Sequence, residues 1–184
     1  ILRETYMRFT SLSRQKGLDF TLELPNENFY AHVNREAFTK IISNLLNNGM
    51  KYADSYMHIK LEIDQEKQFF YVVTKNDGVI IPDEMKEEIF QPFVRFSQEE
   101  KGKVTTGTGI GLALSRSLAE LHCGTLVMVQ GEEENLFRLT LPTTQEMVIA
   151  LDSDMENKDA GLQVETSGES YLDDKLEGKH SKGS

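Results

Sequence analysis

Two clusters of residues carry the chemistry this chain can offer. The first is a run of alternating glycines, Gly107, Gly109 and Gly111, with Thr108 and Ile110 between them and Leu112 behind. Glycine reaches positive φ freely and, lacking Cβ, lets backbone approach a ligand closely. Beyond the glycines, Ile110, Leu112, Leu114, Leu118 and Leu121 are spaced to cover one broad side of a helix. A glycine-rich loop that runs into a helix presents unpaired N–H groups at the positive end of the macrodipole, which is a site for an anion, usually phosphate. Two familiar phosphate motifs are excluded: a dinucleotide fingerprint needs glycine where Leu112 stands, and no G-K-[ST] closes a Walker A loop. Taken alone, the stretch also reads as a plain helix-starting turn.

The second cluster lies on a predicted helix from Asn34 to Tyr52, with Asn34 as N-cap and Phe38, Ile41, Ile42, Leu45 and Leu46 as its apolar stripe. It carries Asn44, Asn47, Asn48, Lys51 and Tyr52. Asparagine is a poor helix former, so its repetition here calls for a reason. Asn44 and Asn48 share a face and Lys51 lies close to it. Two amide oxygens and an ammonium side by side can hold Mg²⁺ and a polyphosphate, because Mg²⁺ takes few protein oxygens and shares the rest with phosphates and water. A solvated polar face is the alternative.

Smaller signals accompany these. Asn76-Asp77-Gly78 follows a strand ending at Thr74; an amide or carboxylate there can bond the edge of a base, or simply make a turn. Phe90, Phe93 and Phe96 flank Arg95, an arrangement that suits a lid reaching phosphate or a patch that pins a loop. His32, His58 and His122 have no metal-ligand spacing. Cys123, the chain's one cysteine, has no paired histidine motif and excludes an internal disulfide framework.

The elements that position these residues follow from periodicity. Residues 1–15 read as a helix stopped at Lys16-Gly17, and 20–24 as a strand ending at Pro25. A second short strand is expected over 29–33, a hairpin over 58–63 and 69–74, a short helix over 83–90, and a last strand pair over 125–130 and 136–141. Residues 143–184 hold ten acidic and four basic residues, −6 of the net −10 of the 184-residue chain, and read as an acidic flexible tail or linker. The remaining −4 gives no support to nucleic-acid binding. The order of elements predicts an α+β fold: a two-layer sandwich in which a mixed, largely antiparallel sheet is packed on one side by three helices.

In chain order, NLLNNGMKYAD (44–54), NDGVIIP (76–82), IFQPFVRF (89–96) and GTGIGLALS (107–115) resemble the N, G1, F and G2 boxes of the catalytic ATP-binding domain of bacterial sensor histidine kinases, in the wider family with gyrase, Hsp90 and MutL. The resemblance covers about residues 17–142 and implies a Bergerat-type ATP-binding fold. It implies that residues 1–16 end the second helix of a dimerisation hairpin. Asn48 with Asn44 would form the Mg²⁺–phosphate site; Lys51 and Tyr52 would contact phosphates and ribose. Asn76 would face the adenine amino group beside Asp77, and Gly78 and Ile81 would shape the pocket. Phe93, Arg95 and the 97–106 loop would form part of a lid, and Gly107, Thr108, Gly109, Ile110 and Gly111 would wrap the triphosphate over Leu112.

The G1 box departs from the family pattern D-x-G-x-G-I, with Asn76 in place of the first Asp and Ile80 in place of the second glycine. This predicts weakened nucleotide affinity. Where ATP-hydrolysing relatives place a water-activating Glu, this chain has Asn44, which suits a kinase that must preserve ATP. The resemblance further implies a phosphoacceptor histidine on an upstream dimerisation domain, a response regulator or receiver domain as partner, and a homodimeric whole protein anchored in the inner membrane with this domain in the cytoplasm. The chain as given is expected to bind ATP without phosphorylating itself in cis. A non-catalytic nucleotide-binding or scaffold module of the same fold, and an ATPase or chaperone relative, are the competing readings.

Overall fold

The computed structural model describes residues 1–64, 66, 68–95, 108–129 and 133–144. The expectations placed on Gly107, on Phe96 and the 97–106 lid, and on the tail beyond residue 144 lie outside the described residues.

Helix α1 (Leu2–Lys16) ends where Gly17 takes the left-handed conformation at φ 70°. Its N–H reaches Arg14 O and that of Leu18 reaches Ser13 O, the paired bonds that close a helix end at a glycine. Strand β1 (Asp19–Glu23) follows. Helix α2 (Arg35–Tyr52) opens at Asn34, whose Oδ1 accepts from Ala37 N at 3.0 Å, so the cap is the predicted residue. Strands β2 (Tyr56–Ile63) and β3 (Phe69–Asn76) form the expected hairpin, each longer than periodicity alone suggested. Helix α3 (Gly111–Leu121), β4 (Thr125–Val129) and β5 (Asn135–Pro142) complete the described chain.

The sheet order is β1-β2-β3-β5-β4, with β1 parallel to β2 and the other pairs antiparallel. The register stacks Met57 and Ile59, then Phe70, Val72 and Thr74, then Phe137, Leu139 and Leu141, then Leu126 and Met128 on one face. These residues are buried. The apolar stripe of α2 completes that core, with α3 over β4 and β5 and α1 against β1 and α2. This is the predicted α+β arrangement. The same face ends in amides: Asn76 and Asn135 pair in register at its edge and are 5% and 2% exposed.

Three expectations are corrected. Residues 29–33 form no strand; the stretch links β1 to α2, with the Phe29 ring 5.5 Å from Phe70 and His32 N bonded to Thr143 O. The segment 83–90 is two 3₁₀ turns, Asp83–Met85 and Glu88–Phe90, and not one helix. Pro92 forces Gln91 to ψ 143°, so the second turn cannot continue, and what remains is too short to propagate an α-helix. On α3 the buried row is Ser115 and Ala119, with Leu112 and Leu118 partly buried, whereas Leu114 and Leu121 are 38% and 72% exposed. Small residues let α3 approach its neighbours closely, and a leucine pattern cannot reveal a contact made by serine and alanine.

Candidate nucleotide site

The burial of α2 decides where its polar residues go. Phe38, Ile41, Ile42, Leu45, Leu46 and Met50 face the sheet, and at Gly49 the helix comes so close to β2 that a Cβ would lie 2.4 Å from the Met57 thioether. Asn44, Asn48, Lys51 and Tyr52 are therefore turned to a half-buried side. Asn44 Nδ2 donates to Gly111 O at 3.1 Å and to Ser115 Oγ at 3.0 Å, and Ser115 Oγ donates back to Gly111 O at 2.8 Å. That amide joins the middle of α2 to the first turn of α3, and among the described residues its hydrogen bonds are made through Nδ2 and not Oδ1. One turn on, Asn48 makes no side-chain hydrogen bond among the described residues. Lys51 Nζ donates to Tyr52 OH at 2.9 Å.

The far end of α2 meets the turn after β3. A Cβ on Gly78 would lie 1.9 Å from Tyr52 O, so no other residue fits there without moving backbone. Asn76 is buried and its Nδ2 has no hydrogen-bond partner among the described residues. Asp77, expected to help line the pocket, has its oxygens engaged elsewhere. They accept from the N–H groups of Asp54, Ser55 and Tyr56 at 3.0–3.1 Å and from the Ser55 hydroxyl. Burial pushes its carboxyl up, but these donors outweigh it and hold the group down to about 2, below an ordinary value of 3.8.

Asn135, missed in the sequence, holds the rest of this turn. It accepts from Ile81 N at 2.9 Å and donates to Val79 O at 2.9 Å and Gly78 O at 3.4 Å. Ile81 is thereby placed against the core edge, while Ile80 is 38% exposed.

On the other flank, Phe93 and Gly109 both have positive φ, 69° and 71°, and Phe93 N donates to Gly109 O at 2.9 Å. A Cβ on Gly109 would lie 2.9 Å from Phe93 Cα, so glycine is needed for conformation and for space. Thr108 and Arg95 are exposed, as is the Phe93 ring at 73%. Ile110, the residue before α3, supplies no side-chain cap, so the amides of the first turn at Gly111 and Leu112 keep the anion-binding character of an open helix end. Arg116 clamps the preceding turn to α3: it pairs with Glu87 at 2.7 Å and stacks on Phe90 at 4.1 Å.

The polar face of α2 thus runs from the start of α3, at Asn44, to the turn after β3, at Tyr52. An orphaned buried amide lies at one end and uncapped helix amides at the other, a donor set that fits a ligand with both a hydrogen-bonding edge and an anionic group. Among the described residues no group of three or more His, Cys, Asp or Glu could hold a metal alone. Asn48 with Asn44 Oδ1 fits Mg²⁺ provided phosphate oxygens complete its shell.

Residues 33–145, more than half of the chain, match the family described as histidine kinase-, DNA gyrase B-, and HSP90-like ATPase. The chain belongs to this ATPase family. As a domain it is of the catalytic, ATP-binding type found in histidine kinases. It is 29% identical over 144 residues to "Histidine kinase P4" of Formosa agariphila, covering 77% of this chain and 10% of that protein. It is 27% identical over 115 residues to "Sensor histidine kinase WalK" of Bacillus subtilis, covering 61% and 19% respectively. The chain therefore spans a tenth to a fifth of these two relatives. Among solved structures, the catalytic domain of histidine kinase ThkA superposes with a TM-score of 0.65 at 27% identity, over 78% of this chain and 91% of that one. ThkA in complex with response regulator protein TrrA gives a TM-score of 0.64 at 26% identity, over 78% and 40%. Among the described residues no helix of this ATPase-family domain is long and apolar enough to cross a membrane.

Proposed function

We propose that this domain transfers the γ-phosphoryl group of Mg²⁺-bound ATP to a histidine on a dimerisation domain N-terminal to it, in a sensor histidine kinase whose partner is a response regulator. The observation that carries the reading is the 3.1 Å bond from Asn44 to Gly111, which brings the amide face of α2 against the glycine-rich start of α3. In this reading Asn48 and Asn44 Oδ1 hold Mg²⁺, and Lys51 with the Gly107–Gly111 segment and Arg95 neutralises phosphate charge. Tyr52 lies by the ribose, Asn76 and Gly78 with Ile81 receive the base, and Leu112 supports the loop from below. Bound Mg²⁺–ATP supplies the phosphoryl donor; the protein supplies position and counter-charge. Asparagine has no proton to exchange near neutral pH, so Asn44 cannot activate water, and its amide is already bonded to α3. That disfavours the ATPase reading.

We further assign residues 1–16 to the end of the dimerisation hairpin, 17–142 to the catalytic domain and 143–184 to an acidic flexible tail or linker, in a homodimeric, membrane-anchored protein whose catalytic domain is cytoplasmic. The ThkA complex with its response regulator supports the partner class.

The test is calorimetry with Mg²⁺–ATP, repeated on Asn48→Asp. Binding in the micromolar to millimolar range that Asn48→Asp abolishes, with an unchanged melting temperature, is the expected result. No binding by the parent chain at millimolar nucleotide would favour a non-catalytic module. Phosphate release well above background would favour an ATPase.

A further inference from the structure

The end of the inner sheet face carries two buried amides with opposite fates. Asn135 is spent: its oxygen accepts from Ile81 N and its nitrogen is shared between the carbonyls of Val79 and Gly78. Asn76, its partner in register, is 5% exposed and its Nδ2 has no hydrogen-bond acceptor among the described residues. That nitrogen lies 3.0 Å from where a Cβ on Gly78 would stand. The space a side chain would take at Gly78 is filled by the end of α2, with Tyr52 O 1.9 Å from that Cβ position, so the turn holds Asn76 tightly in place. Asp77 takes no part, since its carboxylate is occupied by the backbone of Asp54, Ser55 and Tyr56. A buried donor without an acceptor is costly, and a ligand that supplies the acceptor removes the cost.

We propose that Asn76 makes the base pocket tolerant of 6-keto purines as well as adenine. The inference rests on the nucleotide reading of the site above and deepens it to the class of base accepted. A carboxylate at this position only accepts; it suits the 6-amino group of adenine and repels a 6-keto oxygen. An amide presents an acceptor and a donor side by side. In one orientation Oδ1 accepts from the adenine 6-amino group while Nδ2 donates to N1. Turned by 180°, Nδ2 donates to the 6-keto oxygen and Oδ1 accepts from the N1–H of hypoxanthine. Among the described residues Nδ2 makes no hydrogen bond that this turn would break. Guanine shares this edge but adds a 2-amino group that the pocket rim must also accommodate, so inosine triphosphate is the cleaner probe.

The test is equilibrium binding of ATP, inosine triphosphate and purine riboside triphosphate, each with Mg²⁺, to the 184-residue chain and to Asn76→Asp. In the parent chain, inosine triphosphate should bind within about tenfold of ATP. Purine riboside triphosphate, which has nothing at position 6, should bind at least about tenfold more weakly than either. Asn76→Asp should lower inosine triphosphate binding relative to ATP by about a hundredfold. If Asn76→Asp does not fold, the order of the three nucleotides on the parent chain decides. Strict preference for ATP with inosine triphosphate no better than purine riboside triphosphate overturns the inference and leaves the nucleotide site standing. Failure of all three to bind overturns the site itself, and the inference with it.

Discussion

Asp77 separates two ideas about the turn after β3: that its carboxylate lines a base pocket, or that it ties the turn to the start of β2. The geometry favours the second, so replacing it should cost stability before it costs binding. Its carboxyl is depressed from 3.8 to about 2 by donors from Ser55, Tyr56 and Asp54 that overcome the opposing effect of burial. At 1.36 kcal/mol per pH step this corresponds to roughly 2.5 kcal/mol. Partial solvent exposure of the site reduces it to about 1–2 kcal/mol. The folded-state value lies below the unfolded one, so this contribution is complete above about pH 4 and is lost as pH falls towards 2. Urea unfolding of the parent chain and Asp77→Ala should therefore differ by about 1–2 kcal/mol at pH 7, with the gap closing as pH drops below 4. Below its melting transition the variant should keep nucleotide affinity within about threefold. Equal stability at pH 7, or a gap that persists undiminished into acid, would refute the reasoning. So would lost binding in a fully stable variant.

Four further outcomes follow from the same turn and its neighbours. Gly78→Ala drives a methyl group into Tyr52 O and should destabilise by about 2–3 kcal/mol in chemical denaturation. Asn135→Ala strands Ile81 N and Val79 O and should cost about 2–4 kcal/mol. Asn135→Asp sets a carboxylate against those carbonyls; it should be worse than alanine at pH 7 and recover as acid protonates it, measured by melting temperature across pH. Asn44→Ala removes the bonds to Gly111 and Ser115 and should cost about 1–2 kcal/mol while slowing no ATP hydrolysis above background, read by melting and phosphate release.

How far the sequence reaches depends on the range of each contact. The α2 stripe, its Asn34 cap and the alternation in β2 and β3 are local patterns, and they predict both the elements and the direction in which Asn44 and Asn48 face. Gly109 is legible because a loop-to-helix entry at φ 71° needs it, whereas a Cβ at Gly111 would meet nothing closer than 3.7 Å. What stays hidden is non-local. Asn44 meets Ser115 only because α2 and α3 pack, 71 residues apart in sequence. Asn135 looks like a polar residue before a strand until pairing puts it opposite Asn76; two asparagines at the ends of paired strands are the signal that was available. Asp77 carried a local clue, an Asp before Gly after a strand, which favours backbone bonding over ligand reading. The leucines of α3 misled because periodicity reports a stripe without saying which side a neighbour will press against.

The bond between Phe93 N and Gly109 O closes a ring of chain at its two described ends. A ring already fastened at its neck is insulated from its own circumference: doubling the number of residues it encloses adds only about 0.6 kcal/mol of closure entropy. Because the bond is made by described residues on either side, a change in the number of residues between them should add only this closure cost to the folding of the sheet and the three helices. Inserting six Gly-Ser residues there should shift the melting temperature by no more than about 2 °C. A collapse of the fold would show that the neck is held by the loop, and not the loop by the neck.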